Sequence, residues 1–469
     1  MGELECVELP LSDCKNIIDF RIDANTYKKS YIQTDEQLKK KGAITISSQM
    51  KSIQNFGAYS LCNDIVFVDN GIPFLMTQNI RKNYIDWSNL RYIDETSHKM
   101  LYKSHCSKGQ VLVTMAGEYL GRASMYDEEF ACSSNQAIAK ITLKNSMRAF
   151  VLSTFINTIY GQNQINRLKT ITGQPNINMS LIQSLYTPDF SDDFCKVMNG
   201  LKDKINLVKS QSTAAYAQAE EILLAALDMQ DFTPSTEPVA IKTLSESFGA
   251  SGRLDSEYYQ GKYDELFGKI VKFSPHKLGD IATIKKSIEP GSDCYGDEDV
   301  PFVRVSDITK HGISEPSIKI LRDVVADIEK LYPKKDTILL SKDGSVGIAY
   351  KVEKDEQFIT SGALLHLNVK DKNVLPDYLT LVLNSIIVQL QAERDAGGSI
   401  IQHWKPSEIA EVAIPIIDIA AQTEIADLVQ YSFAQRKKSE QLLESAKRAV
   451  EMAIEDGEDK SMKWLEGEV

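Results

Sequence analysis

The chain has 469 residues, 43% of them hydrophobic and 25% charged, with a formal net charge of −12. That length exceeds one ordinary globular domain, and the composition supports buried cores rather than disorder. The acidic balance argues against a uniformly basic nucleic-acid binder, although the distribution of charge counts for more than its sum.

The opening residues, MGELECVEL, are acidic and lack a basic region followed by an apolar one, so no signal peptide is expected. No apolar run reaches transmembrane length: YLTLVLNSIIVQL (378–390) is interrupted by Asn384 and Ser385. A cytoplasmic protein with no membrane partner is expected. The seven cysteines (Cys6, Cys14, Cys62, Cys106, Cys132, Cys195 and Cys294) are scattered, odd in number and without a C-x-x-C pair, which fits reduced thiols. The histidines are isolated, so no metal site is expected.

In chain order, the first half opens on Arg21-Ile22-Asp23-Ala24-Asn25-Thr26-Tyr27. Pro73-Phe74-Leu75 and a polar TQNI segment follow, then VLVTMAGEYLGRA (111–123), a strand running into a Gly turn. Residues 131–188 contain no Asp or Glu but hold Lys140, Lys144, Arg148, Arg167 and Lys169. This stretch reads either as an amide-rich polar surface or as a face that tolerates phosphates. Residues 149–169 predict a helix, TGQPNIN (172–178) a loop, and SLYTP a short strand. Residues 191–228 predict one long helix. Its seam (Phe194, Met198, Leu201, Ile205, Val208, Ser212, Ala215, Ala219, Ile222, Ala226) steps by alternating four and three, as in a coiled coil.

The same order then recurs. After a Pro/Ser/Thr/Gly-rich linker (229–252) come Arg253-Leu254-Asp255-Ser256-Glu257-Tyr258-Tyr259, Pro301-Phe302-Val303 with VSDI, and ILLSKDGSVGIA (338–349). Cys132-Ser133 aligns with Thr360-Ser361, Pro188 with Pro415, and Ser180 with Ser407. Residues 376–394 predict a helix, AGGSIIQHWKPS (396–407) a Gly-bearing loop and EVAIP a strand. A second long helix (416–456) has a weaker seam, with Ser432, Gln435 and Ser439 in its middle. The expected division is therefore 1–190 and 253–415 as two similar recognition domains, 191–228 and 416–456 as spacer helices, and 457–469 as an acidic tail. The expected class is α+β, with a pseudo-twofold repeat and two long antiparallel coiled-coil helices.

Catalytic signatures are missing. There is no Pro-Pro pair for an amino-methyltransferase N/D-P-P-Y/F loop. Pro188-Asp189 and Pro376-Asp377 are not closely followed by the D/E-x-K of a metal-dependent nuclease, and no G-x-x-x-x-G-K-[ST] or G-x-S-x-G occurs. The Gly117/Gly121 and Gly344/Gly347 pairs read as tight turns rather than phosphate cradles.

The R-[IL]-D-x-x-x-Y openings, the mid-domain glycine turns, TGQPNIN before a strand, RLDSEYYQGKY (253–263) and IPIIDIAAQTEIADLV (414–429) together resemble Type I restriction-modification DNA specificity subunits, over essentially the whole chain. The resemblance implies a non-catalytic subunit in which each target-recognition domain reads one half of a split site in double-stranded DNA. It implies that the helices set the gap and dock two methyltransferase subunits, with restriction/translocase subunits joining them. S-adenosylmethionine, ATP and magnesium would then sit on those partners and no cofactor on this chain. The rivals are a coiled-coil scaffold with protein-binding heads, and a degenerate methyltransferase or nuclease.

Arg and Lys complement guanine and Asn and Gln complement adenine, so polar loop residues are the candidate readers. In the first half these are Gln78, Asn79, Arg81, Lys82, Arg122, Ser134, Asn135, Arg167, Lys169, Gln174, Asn176 and Asn178. In the second they are Arg304, Ser306, Lys342, Ser345, Ser361, Gln402, His403 and Lys405. Each has a plainer alternative as a turn cap, an ion-pair partner or a packed loop residue. Arg21 and Arg253, with Asp23 and Asp255, are expected to hold each domain against the coiled coil, since residues repeated in both halves suit a scaffold.

Overall fold

The computed structural model describes residues 7–15, 20–57, 59–170, 173–237, 239–296, 299–322, 327–398 and 401–468. Cys6, Thr172, Pro238, Ser399, Ile400 and Val469, which fall in segments discussed above, lie outside the described residues. The chain forms two compact units, residues 1–208 with 437–469, and residues 209–436.

Each unit is built on the same plan. In the first, a four-stranded antiparallel sheet runs in the order Met50–Gln54, Ile138–Leu143, Val111–Thr114, Ala123–Met125. In the second the order is Ala282–Lys286, Leu364–Val369, Ile338–Ser341, Ala349–Lys351. The central strands are buried along their length, as VLVT and ILLS would be with both faces covered. A smaller four-stranded sheet stands beside each, ending in a parallel pair: Phe74 opposite Ser133, and Phe302 opposite Ile359. This register makes Asn135, whose amide bonds Leu75 O, the counterpart of Ser361, whose amide bonds Val303 O. The alignment of Cys132-Ser133 with Thr360-Ser361 is thereby corrected by two residues.

Residues 149–169 and 376–394 each form two helices: Ala149–Asn157 with Ile159–Leu168, and Pro376–Asn384 with Ile386–Asp395. The breaks fall at Thr158 and Ser385, both in extended backbone. A Cβ on Gly161 would lie 2.5 Å from the carbonyls of Phe155 and Ile156, so the first break needs glycine there, whereas the second carries Val388 at the matching position. The carbonyl freed by each break is satisfied by a glutamine of the second helix, Gln162 on Ile156 O (2.8 Å) and Gln389 on Leu383 O (2.9 Å).

The two long helices span Asp192–Ala226 and Ile419–Glu455. In the first unit Phe194, Met198, Leu201, Ile205 and Val208 share a core with Leu442, Ala446, Ala449 and Ala453. In the second, Tyr216, Ala219, Leu223 and Leu227 share one with Ile425 and Val429. The early part of the first helix (194–208) shares its core with the late part of the second (442–453), and the later part (216–223) with the earlier (425–429), so the helices are antiparallel. The serines that weaken the seam have a use: Ser212 Oγ donates to Ser432 O (2.9 Å) and Ser432 Oγ to Ser212 O (2.8 Å), which requires close backbones. Beyond Ala219 the buried stripe shifts to Leu223 and Leu227, leaving Ile222 and Ala226 half-buried, as the helix turns its face to the sheet domain.

The expected acidic tail is a helix, Glu458–Glu468, seated through Leu465 in the first core. No helix among the described residues is long and apolar enough to cross a membrane.

Candidate nucleic-acid interface

The glycine turn organises the same place in both units. Thr114 Oγ1 bonds Tyr119 O and Ser341 Oγ bonds Ser345 O, closing the turns that hold Gly117 and Gly121, or Gly344 and Gly347, at positive φ. The turn then binds the following loop. Gly117 N donates to Pro175 O (3.0 Å) and Gly344 N to Gln402 O (2.9 Å), while Ile177 N bonds Met115 O and Trp404 N bonds Lys342 O. Ala116 bridges Asn176, and Asp343 bridges His403. Residues 175–177 and 402–404, unlike in sequence, thus lie on one backbone frame.

Between turn, loop and the end of the smaller sheet lies a cleft. In the first unit it measures about 640 Å³ and is lined by Asn55, Tyr119, Asn135, Gln136, Gln174 and Asn176, among others. In the second it measures about 370 Å³ and is lined by Glu289, Arg304, Ser306, Asp343, Ser361 and Ile401, among others. Four candidates of the first half line its cleft (Asn135, Gln174, Asn176, Asn178), and three of the second line theirs (Arg304, Ser306, Ser361). Lys342 and His403 reach the second cleft through Asp343, to which both donate. Burial works to raise the Asp343 carboxyl, but these two hydrogen bonds outweigh it and keep it below the usual range. Arg122 and Arg81 both lie over the Tyr119 ring, 4.4 and 5.9 Å from its centre. Burial, and then the Arg81 charge, lower the Arg122 pKa.

Several candidates are placed elsewhere. Asn79 is buried, its amide bonding Met76 N, Asp86 O and Ser88 O; Asp307 does the equivalent for Arg304 N. Ser134 is fully buried and accepts from Lys140. Arg167 is sequestered by Asp35, Thr26 O and the Tyr27 ring, and Lys169 bonds Asn166, so these two do not form a reading cluster with the loop. Asn178, although it lines the first cleft, stands as an N-cap through its side chain, and Lys405 as the equivalent N-cap through Glu408. Arg81 is paired with Asp86. Gln78, Lys82, Ser345 and Gln402 are exposed.

In the acid-free stretch, two more of the five cations are likewise engaged within the fold. Lys140 is buried with its ammonium on Ser134 Oγ and Asn55 O, and Arg148 is paired with Asp189. Nor do Arg21 and Arg253 hold the domains to the long helices. Arg21 donates to Leu168 O and Lys169 O, and Arg253 to Asp395 O, so each guanidinium caps the carbonyl end of the broken helix pair. Asp23 and Asp255 orient them.

Sequence reasoning missed three amide clamps, each repeated at an offset of 227. Asn157 and Asn384 bond both backbone groups of the edge-strand residues Ala123 and Ala349. Gln162 and Gln389 hold Gly121 O and Gly347 O. Gln164 and Gln391 pair with Tyr186 and Ala413 through both backbone groups. Identity at the shared offset was the available signal. Among the described residues, no group of three or more His, Cys, Asp or Glu is arranged to hold a metal.

Residues 270–447 match the model of the Type I restriction modification DNA specificity domain. No curated protein matches the sequence. Among solved structures, the chain is similar to the S subunit of a Type-I restriction-modification system from M. genitalium (12% identity, 90% of this chain and 94% of that one, TM-score 0.36). It is also similar to the HsdS subunit from Thermoanaerobacter tengcongensis (12% identity, 88% and 96%, TM-score 0.29). Part of it is similar to the type IIG restriction endonuclease BpuSI (13% identity, 36% and 27%, TM-score 0.29). These superpositions are loose and carry no weight beside the domain match. The domain match thus covers residues 270–447, which lie in the second half of the chain.

Proposed function

We propose that the chain is the DNA sequence-specificity subunit of a Type I restriction-modification complex, each unit reading one half of a bipartite, gapped site. The observation that carries this is the duplicated cleft: one backbone frame, built twice, with different polar side chains on each copy. A scaffold repeated while its reading residues change suits two recognition events of the same kind on different sequences. One small reading surface discriminates poorly, whereas two joined in one chain multiply their specificity ratios and raise effective concentration.

The paired helices set the gap between half-sites and dock two methyltransferase subunits, to which restriction/translocase subunits add. Methylation and cleavage, with S-adenosylmethionine, ATP and magnesium, reside on those partners. The acidity of this chain is compatible with DNA binding because the partners supply much of the phosphate contact. The test is co-expression with the accompanying methyltransferase and mapping of methylated bases. A bipartite motif interrupted by unspecified bases is expected. An intact complex that methylates nothing, or a continuous motif, would refute the reading and favour protein-binding heads.

A further inference from the structure

Superposing the two frames position by position shows where their chemistry parts. Met76 of the first unit corresponds to Arg304 of the second, since the amide of each is bonded by the residue three positions on. Ala116 corresponds to Asp343 and Asn176 to His403 through the matching bridges. Gln136 and Gln174, which line the first cleft, correspond to Gly362 and Ile401. The first cleft is thus amide-rich and apolar where the second carries a guanidinium and a carboxylate.

Carboxamides and guanidinium ions read different bases. The adenine edge offers an acceptor at N7 and a donor at N6, which an Asn or Gln amide complements bidentately. The guanine edge offers two acceptors, which the Arg fork complements. The exposed Gln174 and Asn176 side chains border the first cleft. Arg304 is half-exposed, and its Nε lies 3.8 Å from Asp307 Oδ2, beyond hydrogen-bond range. Its Nε is buried without a hydrogen-bond partner among the described residues, which leaves the terminal nitrogens as the groups that a ligand in the cleft would meet.

We propose that the two clefts read half-sites of different base composition. Gln136, Gln174 and Asn176 engage an A·T-containing half-site in the first unit, and Arg304 engages a G·C-containing half-site in the second. This rests on the reading of the chain as a DNA specificity subunit.

The test is selection from a random duplex library by the full chain purified with its methyltransferase, for the wild type and for Gln174→Leu, Arg304→Met and Arg304→Lys. The wild type yields one half-site with required A·T pairs and one with a required guanine. Arg304→Met lowers preference for that guanine about tenfold or more and leaves the other half unchanged. Arg304→Lys keeps the charge but loses the fork, so affinity holds better than guanine preference does. Gln174→Leu relaxes only the A·T half. A bipartite motif whose halves do not differ in this way, or an Arg304 variant that alters the A·T half, overturns the proposal and leaves the specificity-subunit reading standing. No sequence preference from an intact complex overturns both.

Discussion

Removing the Asn384 carboxamide tests whether the turn that shapes the second cleft is held by its clamp. Ala349 sits on the edge strand of the main sheet and is completely buried, so its outward N–H and C=O have neither a neighbouring strand nor water. Asn384 satisfies both, accepting from Ala349 N at 3.0 Å and donating to Ala349 O at 2.8 Å. Asn384→Ala leaves two buried, uncharged backbone groups unpaired at about 1–2 kcal/mol each, so we expect local stability to fall by about 2–4 kcal/mol. A chain of two units need not unfold in one step, which makes amide hydrogen exchange the suitable assay. Protection at Ala349 and its neighbours should fall roughly 30- to 1,000-fold, since each 1.4 kcal/mol is a factor of ten. The strand follows directly on Gly344 and Gly347, so the variant should weaken recognition of one half-site only. A change under about threefold in protection would refute the assignment of the clamp.

Three further outcomes are expected. Lys351, 4% exposed, lies 3.1 Å from the buried Asp377 carboxylate, so Lys351→Met should cost about 3–5 kcal/mol in chemical denaturation, and K351M/D377L should recover much of it. Burial, and then repulsion from Lys285, push His366 from 6.5 down to about 4. The unfolded chain therefore takes up a proton that the folded chain refuses, and the stability this group secures above pH 6.5 should drain away as pH falls towards 4, by about 3 kcal/mol. His366→Gln should flatten that slope in acid-titrated melts. At the helix contact, Ser212→Leu should destabilise by about 2–3 kcal/mol through overpacking, while Ser212→Ala costs about 1 kcal/mol; equal effects would contradict close approach at Ser432.

Much of the architecture was legible in the sequence because it is written twice. The long helices declare themselves by their stepped seam, and the glycine turns by their place after VLVT and ILLS. The break at Thr158 was not legible: its hydroxyl caps the next helix (Gly161 N to Oγ1, 3.3 Å), but nothing local distinguishes it from a Thr within a helix. Side-chain roles were harder still. Arg167 reads as a reader until Asp35, 132 residues away, closes on it, and Lys140 reads as a surface cation until the sheet buries it. The amide clamps carried a repeat signal, yet Asn and Gln within helices read as solvent-facing. Gln174, Asn176 and Arg304, proposed on chemistry, are placed on the walls of the two clefts, where loops border a rigid scaffold.

The paired helices are proposed to set the spacing between two readers. A heptad inserted in each helix, after Val208 and before Lys437, keeps the packed face in register and adds about 10 Å to the spacer, or about 3 base pairs. Methylation mapping of the complex should then return the same two half-sites with the gap lengthened by about 3 base pairs. An unchanged gap, or half-sites that change sequence while the complex stays intact, would contradict that role.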